Sequence, residues 1–146
     1  RVEAKGVEIG LEQRWRNGIR GRASYSYQEV RDEETNNILT NSPMHLAKLN
    51  LILPVIKNKL FTGFETLYTG TRKTLAGNET KDLFVTNLTL SSEGLLKGLE
   101  ASFSIYNIFD EKYSDPASQE HADHTPPLDA IEQDGRSFRL KLTYRF

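Results

Sequence analysis

Ser137-Phe138-Arg139-Leu140-Lys141-Leu142-Thr143-Tyr144-Arg145-Phe146 closes the chain and decides how the rest is read. Successive strand side chains point to opposite sides. This run therefore has one face made of Phe138, Leu140, Leu142, Tyr144 and Phe146, and another made of Arg139, Lys141, Thr143 and Arg145. Wound as a helix, the same residues would scatter around the whole circumference. The run is a strand with one greasy side and one charged side.

The period of two recurs upstream. Val7, Ile9 and Leu11 alternate with Glu8, Gly10 and Glu12, and Ile19, Gly21, Ala23, Tyr25 and Tyr27 alternate with Arg20, Arg22, Ser24 and Ser26. Ala47, Leu49, Leu51 and Leu53 alternate with Lys48 and Asn50, and Leu60, Phe64 and Tyr68 lie opposite Glu65. Phe84, Leu88 and Leu90 share a face, as do Leu99, Ala101, Phe103 and Ile105. The pattern predicts seven strands, over 4–15, 19–30, 45–54, 58–70, 81–92, 96–108 and 135–146. Most exceed the ~5–6 residues usual in soluble sheets and reach the ~9–11 that cross a bilayer at a tilt. The fold class is all-β and antiparallel.

The joins carry a second signal. Those at 16–18, 54–57 and 92–95 are tight, whereas those at 31–44, 71–80 and 109–134 are long and polar. Short and long alternate without exception. An outer-membrane barrel segregates its connections this way, with short turns on the periplasmic rim and long loops outside. Trp15, Tyr68, Tyr144 and Phe146 stand near strand ends on the apolar face, where interfacial aromatics belong. A soluble antiparallel sandwich would also alternate, with its apolar stripes turned to a dry centre. The two architectures differ in what lies against those stripes.

Composition is compatible with a barrel and with little else in a membrane. Hydrophobic residues are 37% of the 146 and mean hydropathy is −0.55. No run approaches the ~18 apolar residues of a membrane helix, since even 49–56 contains Asn50 and Pro54. A net charge of −1 gives no electrostatic reason to expect nucleic-acid binding. With no cysteine there is no disulfide, zinc-thiolate site or thiol nucleophile. The chain opens at Arg1 without a basic or apolar leader, so the expectation is that any targeting segment lies upstream of these residues.

The C-terminal quarter resembles the end of TonB-dependent outer-membrane receptors. The likeness rests on Asn107-Ile108-Phe109-Asp110-Glu111-Lys112-Tyr113, then Asp115-Pro116, then Asp134-Gly135-Arg136 and a final strand ending in Phe146. Ile108 stands where that family usually has Leu. Gly6-Val7-Glu8, Ala23-Ser24-Tyr25-Ser26-Tyr27, Asn41-Ser42-Pro43-Met44-His45, and Glu65 with Tyr68, Gly70 and Arg72 extend the likeness over nearly the whole chain.

The resemblance implies that residues 1–146 are the last seven strands of a barrel of about 22, with the plug domain and the earlier strands elsewhere. It implies an outer-membrane location and energy-coupled uptake of a scarce small molecule, foremost a ferric siderophore, with cobalamin, haem or a glycan behind it. The implied partners are outer-membrane lipid, the protein's own plug, the TonB energy-coupling complex through an N-terminal part outside this chain, and the barrel-assembly machinery. That machinery would read Phe138, Leu140, Leu142, Tyr144 and Phe146 by pairing with a strand edge. Counting back from a descending last strand puts all three long joins outside. Seven strands alone leave two bare edges, which lipid does not tolerate.

Candidate site residues are few. Arg72, Tyr113, His121 and His124 lie in long joins and are the ligand-binding candidates. Glu120, Asp123 and Asp115 surround the two histidines, but nothing fixes a third ligand, so no metal site and no cofactor are expected. Residues 109–134 carry eight Asp or Glu against Lys112 alone, which would gather cations or keep the rim wet. Glu8, Glu12, Arg14, Arg20, Arg22, Lys48, Glu65, Glu100, Arg139, Lys141 and Arg145 form the charged face, suited to cross-strand pairing and to plug contact. Gly70-Thr71-Arg72-Lys73-Thr74 resembles a phosphate loop but lacks its first glycine and spacing. The sequons at Asn78 and Asn87 are read as chance, Asn87 being inside a strand. No serine elbow or arranged catalytic set is visible, and the chain is not expected to be an enzyme. The alternative function is a structural or adhesive outer-membrane barrel that binds partners through its long loops.

Overall fold

The computed structural model describes residues 1–122 and 128–146, with the side chains of all of these but 95, 96, 121 and 122. The elements are β1 (Val2–Arg14), β2 (Arg20–Asp32), β3 (His45–Ile56), β4 (Leu60–Thr69), β5 (Leu83–Leu96), β6 (Leu99–Tyr106), β7 (Ser114–Pro116), α1 (Gln119–Ala122), β8 (Ala130–Glu132) and β9 (Ser137–Tyr144). Seven strands form one antiparallel sheet in the order β1-β2-β3-β4-β5-β6-β9, and β7 pairs with β8 apart from it. Each long strand pairs with its neighbour along the chain. β1 and β9 are the free edges.

Register makes the alternation coherent across the sheet. One row runs Leu51, Phe64, Leu88, Ile105, Phe138, and the next includes Leu90, Phe103 and Leu140. On the opposite face a row runs Glu12, Arg22, Asn50, Glu65, Asn87. A slip of one residue would send every side chain to the other face, so these rows hold the register. Two hydroxyls inside the apolar face, those of Thr66 and Thr86, bond to each other at 3.1 Å. Neither is left bare.

The apolar face is open. Ile9 is 66% exposed, Leu11 69% and Leu140 67%, while Leu83 and Ala117 are the only buried hydrophobic residues among those described. Among the described residues no second layer covers it. A soluble sandwich would bury these stripes against a facing sheet, and the described residues supply none. Aromatic side chains cluster at both ends of the band. Tyr25, Tyr27 and His45 group beside the long joins, with ring centroids at 5.3 and 6.2 Å from His45. Tyr144 and Phe146 meet edge to face at 5.4 Å near the short turns.

The polar face carries pairs across strands and, for Glu12 with Arg14, along one strand. Glu12 takes Arg22 at 3.1 Å and Arg14 at 3.2 Å, Asn87 donates to Glu65 at 3.1 Å, and Arg145 meets Glu100 at 3.1 Å. The ion pairs here are exposed, and such pairs contribute about 0–1 kcal/mol each. Their effect is to keep one wall hydrated rather than to hold the fold.

Two tight turns differ from the sequence expectation. The strand expected to turn at 54–57 runs on to Ile56 with a bulge after Pro54, and the turn centres on Asn58 at φ 59°. Pro54 has no N–H to give, and a bulge is where a strand accommodates that. The turn expected at 92–95 is instead a bulge between Glu93 and Leu96, with Gly94 at φ 78°. The chain reverses at Gly98, φ 76°, whose carbonyl accepts from the Arg145 amide at 2.8 Å. A Cβ on Gly98 would lie 2.6 Å from the Arg145 carbonyl oxygen. Either glycine satisfies the left-handed requirement, and the pairing of β9 selects the second.

Candidate functional site

Three long joins, 33–44, 70–82 and 107–136, gather at one rim of the sheet. The third is anchored first. Asn107, 4% exposed and at φ 51°, donates from its side chain to the Glu111 carbonyl and accepts from the Glu111 amide, both at 2.9 Å. Its own amide donates to the Asn87 side chain at 2.9 Å. The turn so made presents Asp110, which accepts from the Arg136 amide at 2.7 Å and so ties the end of β6 to the start of β9. That bond, with Lys112 and Arg136 nearby, holds the Asp110 carboxyl below its ordinary pKa. A Cβ on Gly135 would stand 2.5 Å from the Asp110 carboxylate, so only glycine allows this approach. The Asn-Ile-Phe-Asp and Gly-Arg segments are thus two halves of one tie.

Arg72 lies where the joins cross. Its guanidinium meets Asp115 at 2.7 Å, donates to the Ser114 carbonyl at 3.4 Å and reaches the Asn41 side chain at 3.5 Å. The side chain is only 10% exposed. Asp129 is the second crossing point, and no pattern in the sequence marks it. Its carboxylate accepts from the Thr74 hydroxyl and the Asn78 side chain at 2.9 Å each, and from the Ala76 amide at 3.1 Å. These donors, Asn78 first, hold its pKa below the usual carboxylate range.

Between joins 70–82 and 107–136 lies a cleft of about 360 Å³. Its lining includes Tyr113, Lys81, Lys112, Glu79, Asp82, Glu111 and Glu132, with Asp129 and Thr74 at one side. Burial, reinforced by Asp115 and Asp134, pushes the Tyr113 phenol pKa up, so it is a neutral hydrogen-bonding group at physiological pH. Such a lining offers donors and acceptors of both charges. Among the described residues no three His, Asp or Glu side chains converge as metal ligands.

Of the four candidate ligand residues, Arg72 is a clamp between joins and Tyr113 lines the cleft. His124 and the side chain of His121 lie outside the described residues. Phe138, Leu140, Leu142, Tyr144 and Phe146 all lie exposed along β9 and just past its end, β9 having one edge unpaired.

No protein-family model matches the chain, and no curated protein matches it. Solved structures do. The ferric-catecholate import receptor Fiu of E. coli K12, in a closed form, superposes with a TM-score of 0.78 at 17% identity, over 99% of this chain and 21% of that one. The ferripyoverdine receptor of the outer membrane of Pseudomonas aeruginosa, bound to ferripyoverdine, superposes at 0.73 and 17% identity, over 98% and 19%. FpvAI in complex with pyocin S2 superposes at 0.76 and 17% identity, over 98% and 20%. The fold is therefore that of these receptor barrels, and the chain spans about a fifth of their length.

Proposed function

We propose that this chain is seven strands and part of the outer rim of a TonB-dependent outer-membrane receptor, an importer whose ligand is a ferric siderophore. The observation that carries this is the near-complete superposition on Fiu of a sheet whose apolar face is left open by the described residues. A face of that kind needs acyl chains as its partner, and a closed barrel is the only β structure that satisfies every backbone group there. The charged face then lines a hydrated interior, where the protein's own plug would sit. The free edges of β1 and β9 pair with strands outside this chain, which closes the barrel.

In this reading the joins at 33–44, 70–82 and 107–136 face outward and the turns at the other rim face the periplasm. Ligand meets the outer joins and the plug, and the TonB complex, acting through the plug-bearing part of the protein, supplies the energy. Tyr113 and the cleft beside it present hydrogen-bonding groups to that ligand, with Arg72 holding the wall in place. β9 carries the stripe that the barrel-assembly machinery takes up. A deletion strain grown on defined iron and cobalamin sources tests the assignment. Loss of growth on at least one ferric siderophore is expected, and growth retained on every source refutes import. A second reading, a barrel whose outer joins bind a macromolecule, has one observation in its favour, since a neighbouring fold, FpvAI, is seen in complex with pyocin S2.

A further inference from the structure

We propose that the joins 70–82 and 107–136 form one latched unit, closed by two polar junctions, and that they open together or not at all. Each join is a small hairpin. In the first, Arg72 and Thr80 bond main chain to main chain and main chain to side chain, at 2.9 and 3.2 Å, and the Thr74 amide donates to the Asn78 carbonyl at 2.9 Å. In the second, β7 pairs with β8, and the Ala117 amide donates to the Asp129 carbonyl at 2.9 Å. The two hairpins meet through Arg72 and Asp115 and, a little further along each, through Asp129 and the Thr74, Ala76 and Asn78 donors.

The physics of each junction resists partial opening. Arg72 is nine-tenths buried, and its Nε already has no partner. Withdrawing Asp115 would leave a buried guanidinium without its counter-charge, the costliest way to break an ion pair. Thr74 is 3% exposed, and losing Asp129 would leave its hydroxyl only the longer bond to the Asn78 carbonyl, at 3.3 Å, to donate to. The junctions are also connected through the hairpins themselves. Arg72 lies two residues from Thr74 on one hairpin, and Asp115, opposite Ile131, lies two residues from Ala117, which is bonded to Asp129, on the other. Two junctions fixed to two stiff hairpins release as one cooperative step. The third join is attached to the same unit, since the Asn41 amide donates to the Lys73 carbonyl at 2.9 Å. This inference stands apart from the import reading, and its test has no transport readout.

The test is hydrogen exchange by mass spectrometry on the full-length protein in detergent, comparing Asp129→Asn and Asn78→Ala with the parent. Asp129→Asn keeps the shape but puts an amide NH₂ where one oxygen met donors. Exchange at 74–78 should quicken at least tenfold. So should the distant reporters: the amides of Asn41 and Thr80, bonded to Lys73 and Arg72, and of Gln133, bonded to Tyr113. Amides within β4, β5 and β6 should not change. Arg72→Lys should in turn quicken the amides of Thr74 and Gly77. Quickening confined to 74–78, or no change in either variant at the Asp129 junction, overturns the latch. Should Asp129→Asn also loosen the strands, the milder Asn78→Ala decides between the same two outcomes.

Discussion

Replacing Leu140 with arginine distinguishes lipid from water at the open face. Leu140 is 67% exposed and sits mid-strand between Phe138 and Tyr144. Burying a leucine fully is worth about 1.5–3 kcal/mol, so the uncovered two-thirds gains about 1–2 kcal/mol from acyl chains. A guanidinium near the bilayer midplane costs about 2–4 kcal/mol more. Leu140→Arg should therefore destabilise the intact barrel by about 3–6 kcal/mol, a shift of more than a hundredfold in the folding equilibrium. Its chain neighbour Lys141 faces the other way, opposite Ser102. Lys141→Leu should cost no more than about 1 kcal/mol, as exposed surface changes do. The measurement is reversible urea unfolding of the full-length protein from lipid vesicles. Equal, small effects at both positions would mean that both faces see water, and the membrane reading would fail.

Gly135→Ala should displace the Asp110 carboxylate and break its bond to the Arg136 amide, lowering stability by about 1–3 kcal/mol in thermal unfolding. Thr66→Val alone should strand the Thr86 hydroxyl at a cost of about 1–2 kcal/mol, and adding Thr86→Val should recover part of it, a coupling that a double-mutant cycle measures. Asp110 and Asp129 both titrate below the ordinary carboxylate value when folded. Their contribution is therefore complete above the unfolded pKa of about 4 and fades as pH drops through the lower folded values. Glu79, Glu132, Lys81 and Lys112 line the same cleft as Asp129. Loop proteolysis of the full-length protein should hold steady from pH 7 to 5 and rise sharply only near pH 3 and below.

The strands were legible because their signal is local. Phe138 to Phe146 states its two faces without reference to any other part of the chain, and so does Val7 to Glu12. Turn positions were less so. The turn is expected at 92–95, around Gly94, and what places it at Gly98 is the Arg145 amide, 47 residues away. The motif from Asn107 to Asp110 was recognisable by likeness, but its work is visible only when Gly135 and Arg136 come alongside. Arg72 stood out as a candidate, yet its tie to Asp115 spans two irregular joins, whose geometry no periodicity encodes. Asp129 is one acid among eight in its join. Only its three donors, more than fifty residues upstream, set it apart.

The contrast between the two rims also orders how the sheet assembles. β1 with β2, β3 with β4 and β5 with β6 each close over a few residues, whereas β9 joins β6 only across residues 107–136. A tenfold longer closure costs about 2 kcal/mol more in chain entropy. The three hairpins are accordingly the early units, and the last strand is the late arrival. Until it docks, its backbone groups stay available on both sides, and an outside template can grip the very segment that its own sheet claims last.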